Sequence, residues 1–375
     1  MFAPGVSVAR DRLPAMELID RLRAWTHHRQ GLGESAAADP LTALRGVVAV
    51  YSAHPTAALA LAARTRGFSA EAFRRLESER VALRVAAMRS SIFLVPRVDA
   101  ARLALPFLDL GTQVGKRLER WSLSADDYVR IKAAMLTAAA EPAPSAVLGA
   151  AAGVSGGMLA TLLRCLRHEG LLLPIGGGSL RAEQFRYVAS EVWAPELAAA
   201  TASAPLDEQR VSEALGWLAG EYLRAFGPAR VADFAWWSGV RRRTATAVLA
   251  EHDTVDVGDG LLLARGDLAE FEAVSPLRGS VDLLPKWDSY TMGLAPDGRA
   301  RFVHADVQLR VYSQGGGGTL PGDGFPVVLV DGEAVGLWRL TAKDGASVEL
   351  FDGAGARTRA RIDRRIGEVA AVLAG

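Results

Sequence analysis

One cysteine, Cys165, is all the sulfhydryl chemistry this 375-residue chain has, so an internal disulfide framework and cysteine-based zinc sites are both excluded. Cys165 sits in an apolar helical stripe with Leu162, Leu163 and Leu166 and reads as a buried structural thiol. Lysine is almost as scarce, at 4 of the 43 basic residues. The cationic surface is therefore arginine, the better fork for phosphate. Excess charge is also missing: the net charge of +1 rules out a bulk polyanion-binding tail but leaves room for a locally basic channel. No uninterrupted apolar run approaches the about 18 residues of a membrane span, and the first residues lack a charged segment followed by a long apolar one. A cytoplasmic protein without membrane contact is expected, with no metal and no cofactor.

What is present is a repeat. Residues 143–189 and 228–264 each read as two short helices followed by a tight hairpin. In the first, helices at 147–152 and 158–167 flank Gly153-Val154-Ser155, and strands at 171–174 and 181–188 flank Gly176-Gly177-Gly178. In the second, helices at 231–237 and 241–251 flank Ser238-Gly239-Val240, and strands at 255–257 and 261–263 flank Gly258-Asp259-Gly260. A glycine at the corner permits the positive φ that turns one helix sharply into the next, and glycine-rich loops suit hairpins. This is a winged helix written twice.

The second helix of such a unit fits a major groove, its first residues meeting bases or phosphates. In the second copy those residues are Arg241, Arg242 and Arg243, which oppose the helix dipole; a bound polyanion and a solvated arginine face are the two readings. In the first copy the matching Ser155-Gly156-Gly157 is uncharged.

Upstream, helices are expected at 16–30, 41–50, 56–66 and 71–79, then strands at 81–85 and 91–95 around a third, more divergent wing at 86–90. Helices at 104–120 and 125–139 follow, with a boundary at 141–144 and a long helix at 206–226. After about residue 275, short strands at 280–284, 300–303, 307–312, 326–330, 335–340 and 347–351 predict an antiparallel barrel or curled sheet. The glycine run at 315–318 lacks the strand and helix of a phosphate cradle. A terminal helix at 357–373 carries a solvated arginine face. The expectation is an α+β chain of three tandem winged-helix units (1–120, 121–200, 201–274) and a C-terminal β-rich, barrel-like region (275–375).

Five segments in order, WTHHRQGL at 25–32, the stretch 44–55, RSSIFLVP at 89–96, LLPKWDSY at 283–290 with Gly293, and VLVDG at 328–332 with GLWR at 336–339, carry a family likeness. Across nearly the whole chain the sequence resembles the tandem winged-helix AlkZ/YcaQ-like crosslink-repair DNA glycosylases. That resemblance implies three winged helices and a β-rich region around a basic channel, and cofactor-free removal of N7-alkylated or crosslinked purines from double-stranded DNA by a monomer.

The family signature of Gln, a hydrophobic residue and then Gln or Asp, set before a proline, maps its polar positions onto Tyr51 and Ala53, and neither is Gln or Asp. A polar group is needed to hold water against an oxocarbenium-like sugar. A one-residue slip offers His54, whose imidazole takes a proton near neutral pH; otherwise His54 opens the helix behind Pro55. Tyr51 is a candidate beside the scissile bond or a stacking residue, and Ser52 a candidate or a turn residue. Arg84 and Arg89 are placed on the first wing, on phosphate or in a minor groove, or at the surface for solubility. Lys286, Trp287 and Asp288 form the densest polar and aromatic cluster of the C-terminal region, where Trp287 stacks on a base or bridges two units and Asp288 reads as a turn carboxylate. Two other readings stay open: a non-catalytic DNA-binding regulator or shield, and a resistance protein that sequesters a genotoxin.

Overall fold

The computed structural model describes residues 15–52, 56–108, 112–176, 180, 184–201, 207–312, 324–341, 345–352 and 354–374. The expectations for Ala53, His54, Pro55, part of the 176–178 loop and the 315–318 glycines lie outside the described residues. Among the described residues no single helix is long and apolar enough to cross a membrane.

The N-terminal region folds around a three-stranded antiparallel sheet of β1 (Val50–Tyr51), β2 (Ala82–Ala87) and β3 (Ser91–Pro96), in the order β1-β3-β2. Every residue of β2 is buried, because successive side chains of a strand point to opposite faces and both faces are covered. Leu83, Val85 and Ala87 enter one core, Ala82 another. Arg84 is thereby drawn inside, which corrects its placement on a surface wing. It is 2% exposed and pairs with Glu77, its Nε and Nη2 donating to the two carboxylate oxygens at 2.9 and 3.0 Å. The helix expected at 104–120 is also divided. It forms as Arg97–Ala104, a 3₁₀ turn at Leu105–Phe107, whose Pro106 has no N–H to continue the ladder, and Thr112–Glu119.

Both repeats fold by one plan. In the first, β4 (Ala143–Pro144) precedes helices Ser145–Ala152 and Gly156–His168, which meet at 102° across Gly153 at φ 67°. The hairpin of β5 (Leu172–Ile175) and β6 (Arg186–Ala189) follows, and β4 pairs back onto β6. In the second, Ala229 bridges to Leu262 before helices Val231–Ser238 and Arg242–Ala250, joined through Gly239 at φ 80°, and then β7 (Thr254–Asp256) pairs with β8 (Leu262–Ala264). The left-handed glycine stops each first helix, as a side chain there would not. The long helix Glu208–Phe226 is capped by the Asp207 carboxylate, which accepts from Gln209 N.

The C-terminal region corrects the barrel expectation. Strands β9 (Val281–Leu284), β10 (Val327–Val330), β11 (Glu333–Thr341) and β12 (Gly345–Leu350) make one antiparallel sheet in the order β12-β11-β10-β9. The sheet stays open because β9 and β12 are its two edges and do not meet. The Ala356–Ala374 helix instead covers one face, burying Ile362 and Leu373 with Leu283, Val328 and Trp338, while Leu284, Val327 and Leu329 face the central core. The strands expected at 300–303 and 307–312 are helical turns, Pro296–Arg301, Ala305–Val307 and Gln308–Val311. Consecutive Phe302 and Val303 are both fully buried, which a turn entering the core accommodates and a strand with one solvent face does not.

Candidate functional site

β1 ends where three separate stretches of chain converge. Tyr51 stands opposite Phe93 in the β1–β3 register, and their rings meet edge-on at 5.9 Å. On its other side Tyr51 meets Trp287 at 4.7 Å, and the Lys286 ammonium lies 4.1 Å from that indole's centre.

Trp287 holds φ at 58°, a conformation rare for a large side chain. The next residue fixes it. Asp288 is fully buried, caps the short helix Ser289–Met292 by accepting from Tyr290 N at 2.9 Å, and is forked by the equally buried Arg64 at 2.6 and 2.8 Å. Arg64 also donates to the carbonyls of Gln30 and Ala60, and Gln30 to that of Ala225. One connected polar network thus ties the helix before the site, the long helix and the Lys286–Trp287 turn together.

These residues enclose a cavity of about 270 Å³ lined by Ala49, Tyr51, Met88, Arg89, Ser91, Phe93, Trp237, Trp287, Ser289 and Met292. Its size suits one flat ring system, being at or below the ~300–1,000 Å³ of drug-sized sites. Non-glycine residues at positive φ gather around it: Arg89 at 52° and Trp287 at 58° in its wall, Val48 at 68° and Ser90 at 56° next to wall residues. Such conformations cost about 1–3 kcal/mol each and cluster at functional sites. Among the described residues its lining includes no carboxylate, carboxamide or imidazole. The chemistry it offers is stacking, exclusion of water, the Arg89 cation and the hydroxyls of Tyr51, Ser91 and Ser289.

Arg89 is exposed at the tip of the β2–β3 turn and lies over the Trp236 ring at 4.2 Å. Partial burial lowers its guanidinium below the usual arginine range, although it stays cationic at neutral pH. Arg299, buried, lies over both Trp236, at 5.0 Å, and Tyr312, at 3.8 Å. Gly239 abuts Arg89 so closely that a Cβ there would stand 3.1 Å from Arg89 Cγ. Two residues on, Arg241, Arg242 and Arg243 are all exposed at the start of the Arg242–Ala250 helix.

Of the residues singled out in the sequence, Tyr51, Arg89 and Trp287 line one cavity, Lys286 lies against its wall, and Arg241–Arg243 follow the Gly239 corner that touches Arg89. Ser52 does not join them: it is fully buried on the opposite strand face, its N–H donating to Ile92 O and its carbonyl accepting from Arg84. Arg84 is likewise behind the sheet, and His54 lies outside the described residues. Sequence reasoning missed Phe93, Met292 and Arg64. Phe93 was signalled only within a β-rich run and the RSSIFLVP segment, and Arg64 is hidden in the turn after an alanine-rich helix, 224 residues from its partner. Among the described residues no group of three His, Cys, Asp or Glu side chains is placed to hold a metal.

A family model described as DNA glycosylase AlkZ-like matches residues 42–372. A solved structure, the Streptomyces sahachiroi DNA glycosylase AlkZ, superposes with a TM-score of 0.70 at 17% identity, covering 94% of this chain and 96% of that one. At that identity the likeness is one of fold. No curated protein matches the sequence.

Proposed function

Because the chain belongs to the AlkZ-like DNA glycosylase family, we propose that it acts in DNA repair as a monofunctional glycosylase, releasing N7-alkylated or bulky, crosslinked purines from double-stranded DNA. The carrying observation is the aromatic cavity at the end of β1, with Tyr51, a position of the family's polar signature, in its wall.

The two repeated units, with the β1–β3 region as a third, are read as tandem winged helices over 1–120, 121–200 and 201–274; residues 275–375 supply Trp287, Ser289 and Met292 to the cavity, with Lys286 against the Trp287 wall. Duplex DNA would lie across Arg89 and Arg241–Arg243, whose guanidiniums hold phosphates. An N7-alkylpurine is already cationic and departs as a neutral base when its bond to C1′ breaks. Water then adds its oxygen to C1′ and gives up a proton, and the protein's tasks are to stack the base, hold the sugar and place that water. His54 is the proposed proton acceptor, with Tyr51 beside the scissile bond.

The described lining, without carboxylate, carboxamide or imidazole, favours a second reading, a DNA-binding member without turnover. Incubation with a duplex carrying N7-methylguanine, followed by alkaline workup and a denaturing gel, separates them. Strand cleavage above the spontaneous rate, lost in His54→Ala with affinity retained, is the expected outcome. Binding without cleavage, for N7-methylguanine and bulkier adducts alike, would overturn the glycosylase reading.

A further inference from the structure

The hairpin of the first repeat turns back into the protein. Leu173 of β5 and Val188 of β6 join Leu83 and Val85 of β2 in the central core, and Leu180, between the two strands, is buried with Val50, Phe73 and Leu76. At the end of β5 the contact becomes polar. The Gly176 N–H donates to Glu77 Oε1 at 3.2 Å, on the same carboxylate that the buried Arg84 forks, and the Arg84 guanidinium lies 5.4 Å from the ring of Phe185, just before β6. The fit leaves no room: a Cβ on Gly176 would stand 2.7 Å from Arg84 Nη2 and 2.8 Å from Glu77 Oε2.

Arg84 Nη1 reaches the other way and donates to the Ser52 carbonyl at 3.4 Å. Ser52 gives its own N–H to Ile92 O at 2.9 Å, and the Tyr51 carbonyl accepts from Thr56 Oγ1 at 3.1 Å. The end of β1 is thus held from two sides, and the Tyr51 that it carries stands between Phe93 and Trp287. A buried carbonyl that loses its donor is costly, so a displaced Arg84 guanidinium favours a shift of Ser52 and of the ring beside it.

We propose that Glu77 and Arg84 are positioning residues, which set the end of β1, and with it Tyr51, against the hairpin of the first repeat, so that the seating of that repeat is felt in the Tyr51 cavity. The consequence for turnover rests on the glycosylase reading; the coupling itself does not.

Gly176→Ala tests this without touching the cavity or removing either charge, and Arg84→Lys is the second variant. In the full chain labelled with 5-fluorotryptophan, the Trp287 and Trp338 signals are assigned by their loss in Trp287→Phe and Trp338→Phe. The Trp287 fluorine resonance is expected to shift in both variants while that of Trp338, in β11, stays in place. On a duplex carrying N7-methylguanine, the single-turnover excision constant of Gly176→Ala should fall about tenfold, the effect of a small misplacement of a group beside the scissile bond, with the Kd for DNA unchanged. An unmoved Trp287 resonance in a folded Gly176→Ala protein, equal movement of both resonances, or weakened DNA binding with an unchanged excision constant would each overturn the proposal. If the unsubstituted protein excises nothing, the glycosylase reading fails and the fluorine measurement alone decides the coupling.

Discussion

Asp288 shows what a single side chain does in this fold. It caps a helix start, receives both arms of Arg64 and follows a tryptophan held at positive φ. Replacing one partner of a buried ion pair strands the other charge, at a cost of about 3–5 kcal/mol. Asp288→Asn is therefore expected to lower the unfolding free energy measured in urea by that amount, whereas a loss below about 1 kcal/mol would show that the neighbouring carbonyls alone satisfy Arg64. The sequence marked Lys286-Trp287-Asp288 as a cluster and left Asp288 as a turn carboxylate. Its partner was illegible because a buried pair carries no local signal. Arg84 was misread for a related reason: a β-rich run with one arginine looks like a strand with a wet face, and nothing local announces that both faces are covered or that Glu77 waits to neutralise the charge.

At the scale of elements, the repeat was legible because its corner glycines are forced. Gly153 and Gly239 both sit at left-handed φ where a helix must stop and turn, and the same short bridge precedes each first helix. The exposed arginines after Gly239 give that element its test. Arg242→Ala should reduce the slope of log affinity against log salt for duplex DNA by about one, and an unchanged slope would remove that helix from the interface. Residues 300–312 were illegible because alternating apolar and polar residues over so short a stretch suit a strand and a chain of helical turns equally. Burial of Arg299 and Arg301 on the inside of those turns follows from partners supplied by other elements, Trp236 and Tyr312 for the first and the Pro228 carbonyl for the second.

Across the whole molecule, the ends of the chain are fastened to each other. His27 pairs with Asp282, Arg64 with Asp288 and Arg23 with Glu333, and one core runs from the N-terminal sheet through the long helix to β9 and β10. A chain ending at residue 274 would keep His27 and Arg64 buried without their carboxylates. Such a fragment is expected to show no cooperative thermal transition, and a sharp melt by circular dichroism would contradict this. The open C-terminal sheet belongs to the same arrangement: a barrel would have enclosed its own core, while the open sheet lends one face to the centre and the other to the terminal helix. Strand positions were readable from alternation, but closure depends on which edges meet, and alternation is silent about that.

The resting place of Arg89 has a consequence for whatever approaches it. A guanidinium can be held still by a carboxylate, which also cancels its charge, or by an aromatic face, which does not. Arg89 lies on the indole of Trp236, with a second cation, Arg299, over the same ring. It is aimed in advance and, among the described residues, held in no ion pair, so an incoming phosphate would meet a donor fork whose ordering entropy has already been lost on folding.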